Sequence, residues 1–243
     1  MSVKENPHIL CVIPAYNEER GVAEVVRKAQ THLPVLVVDD GSTDSTSRQA
    51  HSAGADVLSQ RPNQGKGVAL QTGFKRALAL GYDAVITLDA DKQHDPDEIP
   101  SFVQAYTARG ADLIIGQRDF SSIPTVRRIS NTLGTRIFSW AVGQPIPDNQ
   151  CGYRLISRRM MEALLEPAER GYEFEIEMIV NCITHSYKMD WVPIRTIYGD
   201  EKSHIHPLRH GIKFIRVSLR ARRTILNARR NGLIEIILPK QVE

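Results

Sequence analysis

The sequence predicts an α/β protein built on a mostly parallel sheet with helices on both faces. First, short β-rich runs alternate with helical patterns through about two thirds of the 243-residue chain. Second, 42% hydrophobic and 24% charged residues are typical of a water-soluble globular protein. Because such alternation produces parallel strands, we expect ligands at the carboxyl ends of those strands.

Apolar runs bounded by turn residues predict the strands, and apolar residues at helical spacing predict the helices. The first part of the chain reads as strand 8–13, helix 19–32, strand 35–38, helix 43–52, helix 67–80, strand 84–88, helix 97–108 and strand 112–115. The second part reads as helix 125–142, loop 143–152, helix 158–165, helix 173–185, strand 189–197 and a basic segment from residue 208.

The cysteine content and the short apolar runs restrict the class of protein. Cys11, Cys151 and Cys182 are odd in number, lie far apart and follow no secretory signal, which favours a reducing, cytoplasmic setting. The longest apolar stretches are far shorter than the ~20 residues that span a bilayer, so we expect no membrane crossing. The motifs GxSxG, HExxH and GxGxxG are absent, so hydrolase, zinc and dinucleotide chemistry lack support.

Asp89 and Asp91 flank Ala90 at the end of an apolar strand, and Gln93 follows two residues later. Residues two apart in extended backbone project the same way, so two carboxylates and an amide can converge on one hard cation. Mg²⁺ or Mn²⁺ suits such oxygen ligands and bridges to phosphates. The alternative is a solvated acidic turn, because short motifs occur often by chance.

The segment after this pair favours local structure over further metal ligands. Asp95 can cap a helix whose first residue is Pro96, with Glu98 three residues on completing a capping box. His94 faces either a ligand or solvent, and the sequence does not distinguish these orientations.

Other polar residues follow strand ends or precede a helix. Asp40 closes the second strand, where a carboxylate can accept hydrogen bonds from a base or ribose, or can simply begin a turn. Lys66 lies in a glycine-containing segment before a helix and could meet a phosphate, although the full phosphate-loop spacing is missing. Arg118 lies just past a strand end, where its guanidinium suits phosphate oxygens.

Three ordered motifs, 13–18, 37–44 and 88–91, closely resemble the nucleotide-sugar half of family 2 glycosyltransferases. This resemblance implies a GT-A fold. It continues through 148–154, 171–175 and 198–204, where the chain resembles the dolichyl-phosphate mannosyltransferase branch. The implied domains are a catalytic domain at 1–206, with a nucleotide-sugar half at about 7–118 and an acceptor half at about 119–206, and a basic helix and tail at 207–243.

The resemblance also implies roles for individual residues. The base and ribose pocket would be lined by Pro14, Tyr16, Glu18, Val38 and Asp40. Asp89, Asp91 and Gln93, with Ala90 between the two acids, would hold Mg²⁺ or Mn²⁺ on the diphosphate, and Arg118 would face the phosphates, so that Asp91 and Arg118 carry the catalytic roles. Arg127, Arg128, Lys202 and Ser203 lie in segments that meet the donor or lipid phosphate in this family.

The acceptor is inferred from a missing base. A hydroxyl acceptor needs a general base, but the stretch 148–154, where hydroxyl-transferring relatives carry an acidic pair, offers only Asp148. A phosphate monoester is already mostly anionic at neutral pH and needs no base. We therefore predict inverting transfer of a hexose, with GDP-mannose as first choice of donor, to a polyprenyl phosphate. UDP-glucose or another donor, a hydroxyl acceptor, and a non-catalytic nucleotide-sugar-binding subunit are the alternatives.

Basic residues concentrate in the tail. Residues 209–230 hold eight Lys or Arg and no acid, so the remainder has 23 bases against 28 acids, a charge of −5. The stripe Arg209, Lys213, Arg216, Arg220 and Arg223 has helical spacing, beside Leu208, Ile212, Ile215, Leu219 and Leu226, while Phe214, Val217, Ala221 and Ile225 lie on another side. This pattern fits either a peripheral helix at the cytoplasmic membrane face, with or without an anchoring protein partner, or a docked helix with a solvated charged face. No nucleic-acid partner is expected.

Overall fold

The protein has a mixed α/β fold around one seven-stranded sheet, as seen in a computed structural model that describes residues 6–119, 125–165, 174–195, 197 and 207–234. The backbone alone is described at 125–127, 129, 130, 207–210 and 212. The strands are β1 Ile9–Ala15, β2 Val35–Asp39, β3 Asp56–Ser59, β4 Ala84–Thr87, β5 Leu113–Arg118, β6 Arg154–Ser157 and β7 Met189–Ile194. The α-helices are α1 Val22–Gln30, α2 Thr46–Ser52, α3 Lys66–Ala79, α4 Ile99–Arg109, α5 Thr125–Val142, α6 Arg158–Ala163, α7 Phe174–Thr184 and α8 Pro207–Arg230.

The strand order is β3-β2-β1-β4-β6-β5-β7, and only β6 runs antiparallel to its neighbours. The predicted mostly parallel sheet is therefore confirmed. The sequence analysis gave no bounds for β3 and β6. Strand β3 is short and only partly buried, and β6 begins with Arg154, a residue type that rarely starts a buried strand.

Strand β1 is buried along its whole length, which explains its continuous apolar sequence. In its parallel register with β2, Pro14 lies beside Val38 and Ala15 beside Asp39. The loops that follow these two strands therefore start side by side at one edge of the sheet. Helix α3 packs closely on this pair of strands, because a Cβ atom on Gly73 would lie only 2.5 Å from the Val12 side chain.

The segment before α4 differs from the predicted capping box. A single 3₁₀ turn at Pro96–Glu98 precedes the helix, and Asp95 accepts a hydrogen bond from the Asp97 amide at 3.3 Å, so the predicted cap is present. The second hydrogen bond of the predicted capping box, in which the Glu98 side chain would accept from the capping residue, is wrong. Glu98 instead accepts from the Arg195 amide at 2.8 Å. Glu98 thus connects this turn to the end of β7.

Helix α8 packs against α5 and α7. Val217, Ala221, Ile225 and Ala228 are buried in that contact, at the i, i+4, i+8 and i+11 positions of one helix face. The sequence predicted two apolar sides of this helix without deciding which one packs on the protein, and the structure buries the side that carries Val217, Ala221 and Ile225. No helix in the described part of the chain is long and apolar enough to cross a membrane.

Candidate active site

The loops after β1 and β2 are joined by hydrogen bonds at the sheet edge. The Asn17 amide donates to Ser42 Oγ at 2.9 Å, and Asn17 Oδ1 accepts from the Thr43 amide at 2.9 Å. The Glu18 amide donates to Thr46 Oγ1 at 2.7 Å. Asn17 has a φ of +56°, a conformation that asparagine tolerates better than most residues. The sequence analysis did not select Asn17, although it lies inside the first motif.

Asp40 ties a third loop to this edge. Its Oδ1 accepts from Gln60 Nε2 at 2.6 Å and from the Gln64 amide at 2.8 Å, and its Oδ2 accepts from the Gly65 amide at 2.7 Å. The side chain is buried, and these bonds hold the segment that leads into α3. Gln60 is therefore a structural partner that the motif search missed, because it lies outside any recognised pattern.

The other predicted pocket residues surround this edge at different depths. Pro14 and Val38 are buried neighbours in the β1–β2 register, and Glu18 is half-buried. Tyr16 keeps 48% of its surface exposed just past the end of β1. An exposed aromatic side chain just past a buried strand end is suited to stacking against a planar base.

The turn that follows β4 carries the predicted metal ligands. The Asp91 carboxylate accepts from the Gln93 amide at 3.0 Å, while the Gln93 side chain is exposed and Ala90 is buried. Within the described ranges, no group of three or more His, Cys, Asp and Glu side chains could hold a metal alone. Two partly exposed carboxylates fit Mg²⁺ or Mn²⁺, which commonly completes its shell with phosphate and water.

Lys66 lies between Asp89 and a second carboxylate that the sequence analysis did not select. Its Nζ is 2.7 Å from Asp89 Oδ1 and 2.8 Å from Glu175 Oε1. Burial alone would lower the pKa of Lys66, but the two carboxylates raise it above its ordinary value. Burial likewise favours a raised pKa for Asp89, yet the positive charge of Lys66 lowers it below its ordinary value. Lys66 is therefore an ammonium ion and Asp89 a carboxylate.

Gly152 allows this ion pair to form at its observed position. A Cβ atom at residue 152 would lie 2.8 Å from Asp89 Oδ2 and 3.0 Å from Lys66 Nζ. The backbone of Gly152 also accepts from Thr87 Oγ1 at 2.8 Å, which fixes it beside the end of β4. A side chain at residue 152 would displace these two charged groups, so glycine leaves them room at their observed positions.

His94 takes neither of the two orientations considered from the sequence. It is buried, and its Nδ1 accepts from the Asp89 amide at 3.2 Å. Burial lowers the pKa of His94 to about 4, so the ring is neutral near pH 7. The residue therefore supports the backbone of Asp89 from inside the protein.

Arg118 lies at the carboxyl end of β5 and donates to both oxygens of Asp148, at 2.7 and 3.0 Å. Asp148 is fully buried and also accepts from the amides of Gln150 and Cys151, at 3.1 and 3.2 Å. Asp148, the one acid in the 148–154 stretch, therefore has a structural role. Contact of Arg118 with phosphate stays a prediction.

Arg154, the first residue of β6, is fully buried and has a structural role. Its guanidinium donates to the carbonyl oxygens of Cys151, Glu175 and Asn149 at 2.8, 2.5 and 3.3 Å. These bonds join the start of α7 to the loop before β6. They also place Glu175, which is 4% exposed, next to Lys66.

The structure describes only some of the remaining predicted site residues. Arg128 is exposed in the first turns of α5. The side chain of Arg127 and the whole of Lys202 and Ser203 lie outside the described residues. Their roles stay predictions.

Comparisons with known proteins identify the family of this chain. The family described as Glycosyl transferase family 2 matches residues 10–165, the span that contains the loops after β1, β2 and β4. A UDP-N-acetylglucosamine–dolichyl-phosphate N-acetylglucosaminyltransferase of Methanococcus voltae is 31% identical over 79% of this chain and 86% of its own. The undecaprenyl-phosphate mannosyltransferase of Micrococcus luteus is 30% identical over 76% and 82%. The chain belongs to glycosyltransferase family 2 and is a glycosyltransferase.

Solved structures establish the same fold. Glucosyl-3-phosphoglycerate synthase of Mycobacterium tuberculosis, crystallised with Mn²⁺, UDP and phosphoglyceric acid, superposes with a TM-score of 0.68. The superposition covers 96% of this chain and 81% of the other, at 20% identity. The predicted GT-A fold is therefore confirmed.

Proposed function

We propose that this glycosyltransferase moves a hexose from a nucleotide sugar to a polyprenyl phosphate, with inversion and with Mg²⁺ or Mn²⁺. GDP-mannose is the first choice of donor, and UDP-glucose and UDP-GlcNAc are the alternatives. The observation that carries the proposal is the position of Asp89 and Asp91 in the turn after β4, at the sheet edge where the loops after β1 and β2 also lie.

The donor half supplies binding and orientation. Tyr16 offers an exposed ring at the rim, and the interlocked loops around Asn17 and Asp40 fix the backbone on which a base and ribose would rest. The cations of Lys66 and Arg118 lie near Asp89, where a diphosphate would be held. A divalent ion bound by Asp89, Asp91 and Gln93 would supply charge neutralisation for the departing diphosphate.

The acceptor half supports a nucleophile that is already ionised. Asp148 is enclosed by Arg118 and two backbone amides, so it is unsuited to taking a proton from an acceptor. A phosphate oxygen can attack the anomeric carbon without giving up a proton first. The relatives named for transfer to dolichyl and undecaprenyl phosphate, each at about 30% identity, support this choice of acceptor.

Glu175 favours a second candidate function, transfer to a hydroxyl. Its Oε2 is buried and has no hydrogen-bond partner among the described residues, and the carboxylate lies close to the donor site. Such a carboxylate could act as a general base toward a hydroxyl acceptor. In the leading proposal, Glu175 instead holds the Lys66 ammonium in place through their ion pair.

We also propose that the protein lies on the cytoplasmic membrane surface through one face formed by α5 and α8. The two helices contact each other: the Arg222 guanidinium lies 4.1 Å from the centre of the Trp140 ring, and Arg229 Nη2 donates to the Val142 carbonyl oxygen at 3.5 Å. The α5–α8 face carries exposed apolar side chains, namely Leu133, Trp140, Ile215, Leu219 and Leu226. Exposed arginines at 216 and 223 border it. Apolar side chains edged by cations suit an anionic lipid interface.

A transfer assay tests the enzyme proposal. Labelled GDP-mannose, UDP-glucose and UDP-GlcNAc are each offered with a short polyprenyl phosphate and with Mn²⁺ or Mg²⁺. We expect transfer from one donor, a loss of at least about 100-fold in Asp91→Ala, and normal transfer in the matched control Asp97→Ala, an exposed acid on the same segment. Transfer only to sugar or protein hydroxyls, abolished by Glu175→Gln, would establish the second candidate.

A further inference from the structure

Lys66 contacts the proposed metal-binding turn directly, which binding a phosphate would not by itself require. Its Nζ lies 2.7 Å from Asp89 Oδ1, so one oxygen of a proposed metal ligand already has a cationic partner. The backbone of Gly152 closes the other side of the pair. The ammonium and any divalent cation at Asp89 must therefore share one carboxylate.

Glu175 keeps the ammonium in this position. It is 4% exposed, its Oε1 lies 2.8 Å from Lys66 Nζ, and its backbone carbonyl is held by Arg154 at 2.5 Å. Its other oxygen has no partner in the part of the chain that the structure describes. The second carboxylate thus belongs to a fixed scaffold rather than to a free surface side chain.

An ammonium ion and a divalent cation that share one carboxylate are like charges in close proximity, and they oppose one another strongly in a partly buried site. Lys66 therefore weakens the binding of a free divalent cation at Asp89. A nucleoside diphosphate brings negative charge to the same place and offsets the ammonium, so the cation and the diphosphate favour each other's binding. Such coupling is reciprocal by thermodynamic linkage.

We propose that Lys66, held by Glu175, makes divalent-cation binding at Asp89 conditional on the nucleoside diphosphate. This inference rests on the proposed metal-dependent function and adds a coupling residue to it. The consequence is that the site loads metal together with its donor, and that an unliganded site holds metal weakly.

Mn²⁺ binding measured by electron paramagnetic resonance of the free ion tests the inference without any turnover. Titrations are run with Mn²⁺ alone and with GDP or UDP present. Lys66→Met should raise the affinity for Mn²⁺ alone by about tenfold or more and should reduce the enhancement by nucleotide. Glu175→Gln should lower the affinity for Mn²⁺ alone, because a negative charge is lost while the ammonium stays.

The charge-balanced double variant Lys66→Met/Glu175→Gln guards against misfolding caused by two unpaired buried carboxylates. It should also bind Mn²⁺ alone more tightly than the wild type, because the closer of the two charges to Asp89 is the ammonium. Lys75→Met, at an exposed position on the same helix, should change nothing. This pattern of opposite signs is not expected from a merely structural ion pair.

Two results would overturn the inference, and only one of them would also contradict the proposed metal dependence. If the wild type binds Mn²⁺ with nucleotide but Lys66→Met and the double variant bind Mn²⁺ alone no better than the wild type, only the coupling role is lost. If the wild type binds no Mn²⁺ even with GDP or UDP, the metal dependence in the proposed function fails together with the coupling.

Discussion

The guanidinium of Arg118 holds the carboxylate of Asp148 through two hydrogen bonds, at 2.7 and 3.0 Å. Because Asp148 also accepts from the Gln150 and Cys151 amides, one buried carboxylate connects the end of β5 to the turn that leads into β6. Arginine and carboxylate in this fork geometry form a strong and directional pair. The turn it fixes carries Gly152 and therefore borders the site at Asp89.

Breaking this pair should destabilise the protein and weaken the site. Asp148→Asn should lower the free energy of unfolding by about 1–3 kcal/mol, because a buried group loses charge-assisted partners. Urea unfolding measures this change. Glu162→Gln, which breaks the exposed Arg158–Glu162 pair, is the matched control and should stay within about 0.5 kcal/mol.

Comparing two variants separates the structural role of Arg118 from its predicted contact with phosphate. If Arg118 acts on the donor directly, Arg118→Gln should reduce kcat well beyond the reduction in Asp148→Asn. Equal losses in both variants would mean that Arg118 acts only by fixing the turn.

Gly152→Ala should displace the Lys66–Asp89 pair, because the added Cβ would lie within 3.0 Å of both charged groups. We expect at least about a tenfold loss of transferase activity, since small misplacements of catalytic groups are costly. Steady-state kinetics measures it. Gly211→Ala, at an exposed helical position with open space around a Cβ, should retain full activity. Normal activity in Gly152→Ala would show that the close approach is unimportant.

The stability of the protein should fall in mildly acidic solution because of His94. Burial lowers the pKa of His94 to about 4 from an ordinary value of 6.5, so the unfolded chain binds its proton first as the pH falls. Stability from this residue is complete above pH 6.5 and is lost between pH 6.5 and 4, by about 3 kcal/mol in full. Urea unfolding at pH 7, 6 and 5 should show a shallower pH dependence in His94→Gln. The exposed histidine variant His51→Gln should follow the wild type, and parallel curves for His94→Gln and wild type would contradict the assignment.

Vesicle binding should depend on the α5–α8 face. Flotation with vesicles that contain anionic lipid should show reduced binding for Ile215→Ser/Leu219→Ser and, at low salt especially, for Arg216→Gln/Arg223→Gln. The controls Leu80→Ser and Arg27→Gln remove an exposed apolar and an exposed basic side chain elsewhere. Equal flotation of all variants would leave α8 as a docked helix with a solvated charged face.

The amino-acid sequence alone determined the fold class, the order of most elements and the residues at the strand ends. Local rules are sufficient for this, because continuous apolar runs specify buried strands and the ends of parallel strands meet at one edge. It also defined two apolar sides on α8, since these follow from the helical period, but only the structure decided that the side of Val217 packs on the protein. The antiparallel strand β6 escaped prediction because its first residue, Arg154, is a charged residue whose burial depends on three carbonyl groups, two from the preceding loop and one from Glu175 at the start of α7.

Only the tertiary structure decided which charges meet. Lys66, Asp89 and Glu175 come from the start of α3, the end of β4 and the start of α7, and no sequence spacing relates them. No sequence spacing relates Arg118 to Asp148 either. The neutral state of His94 likewise follows from its burial in the fold. Ion pairs and burial depend on distances across the folded chain, whereas periodicity records only neighbours along one element. The physical reason for the division is thus that elements are encoded locally and the electrostatics of the site is not.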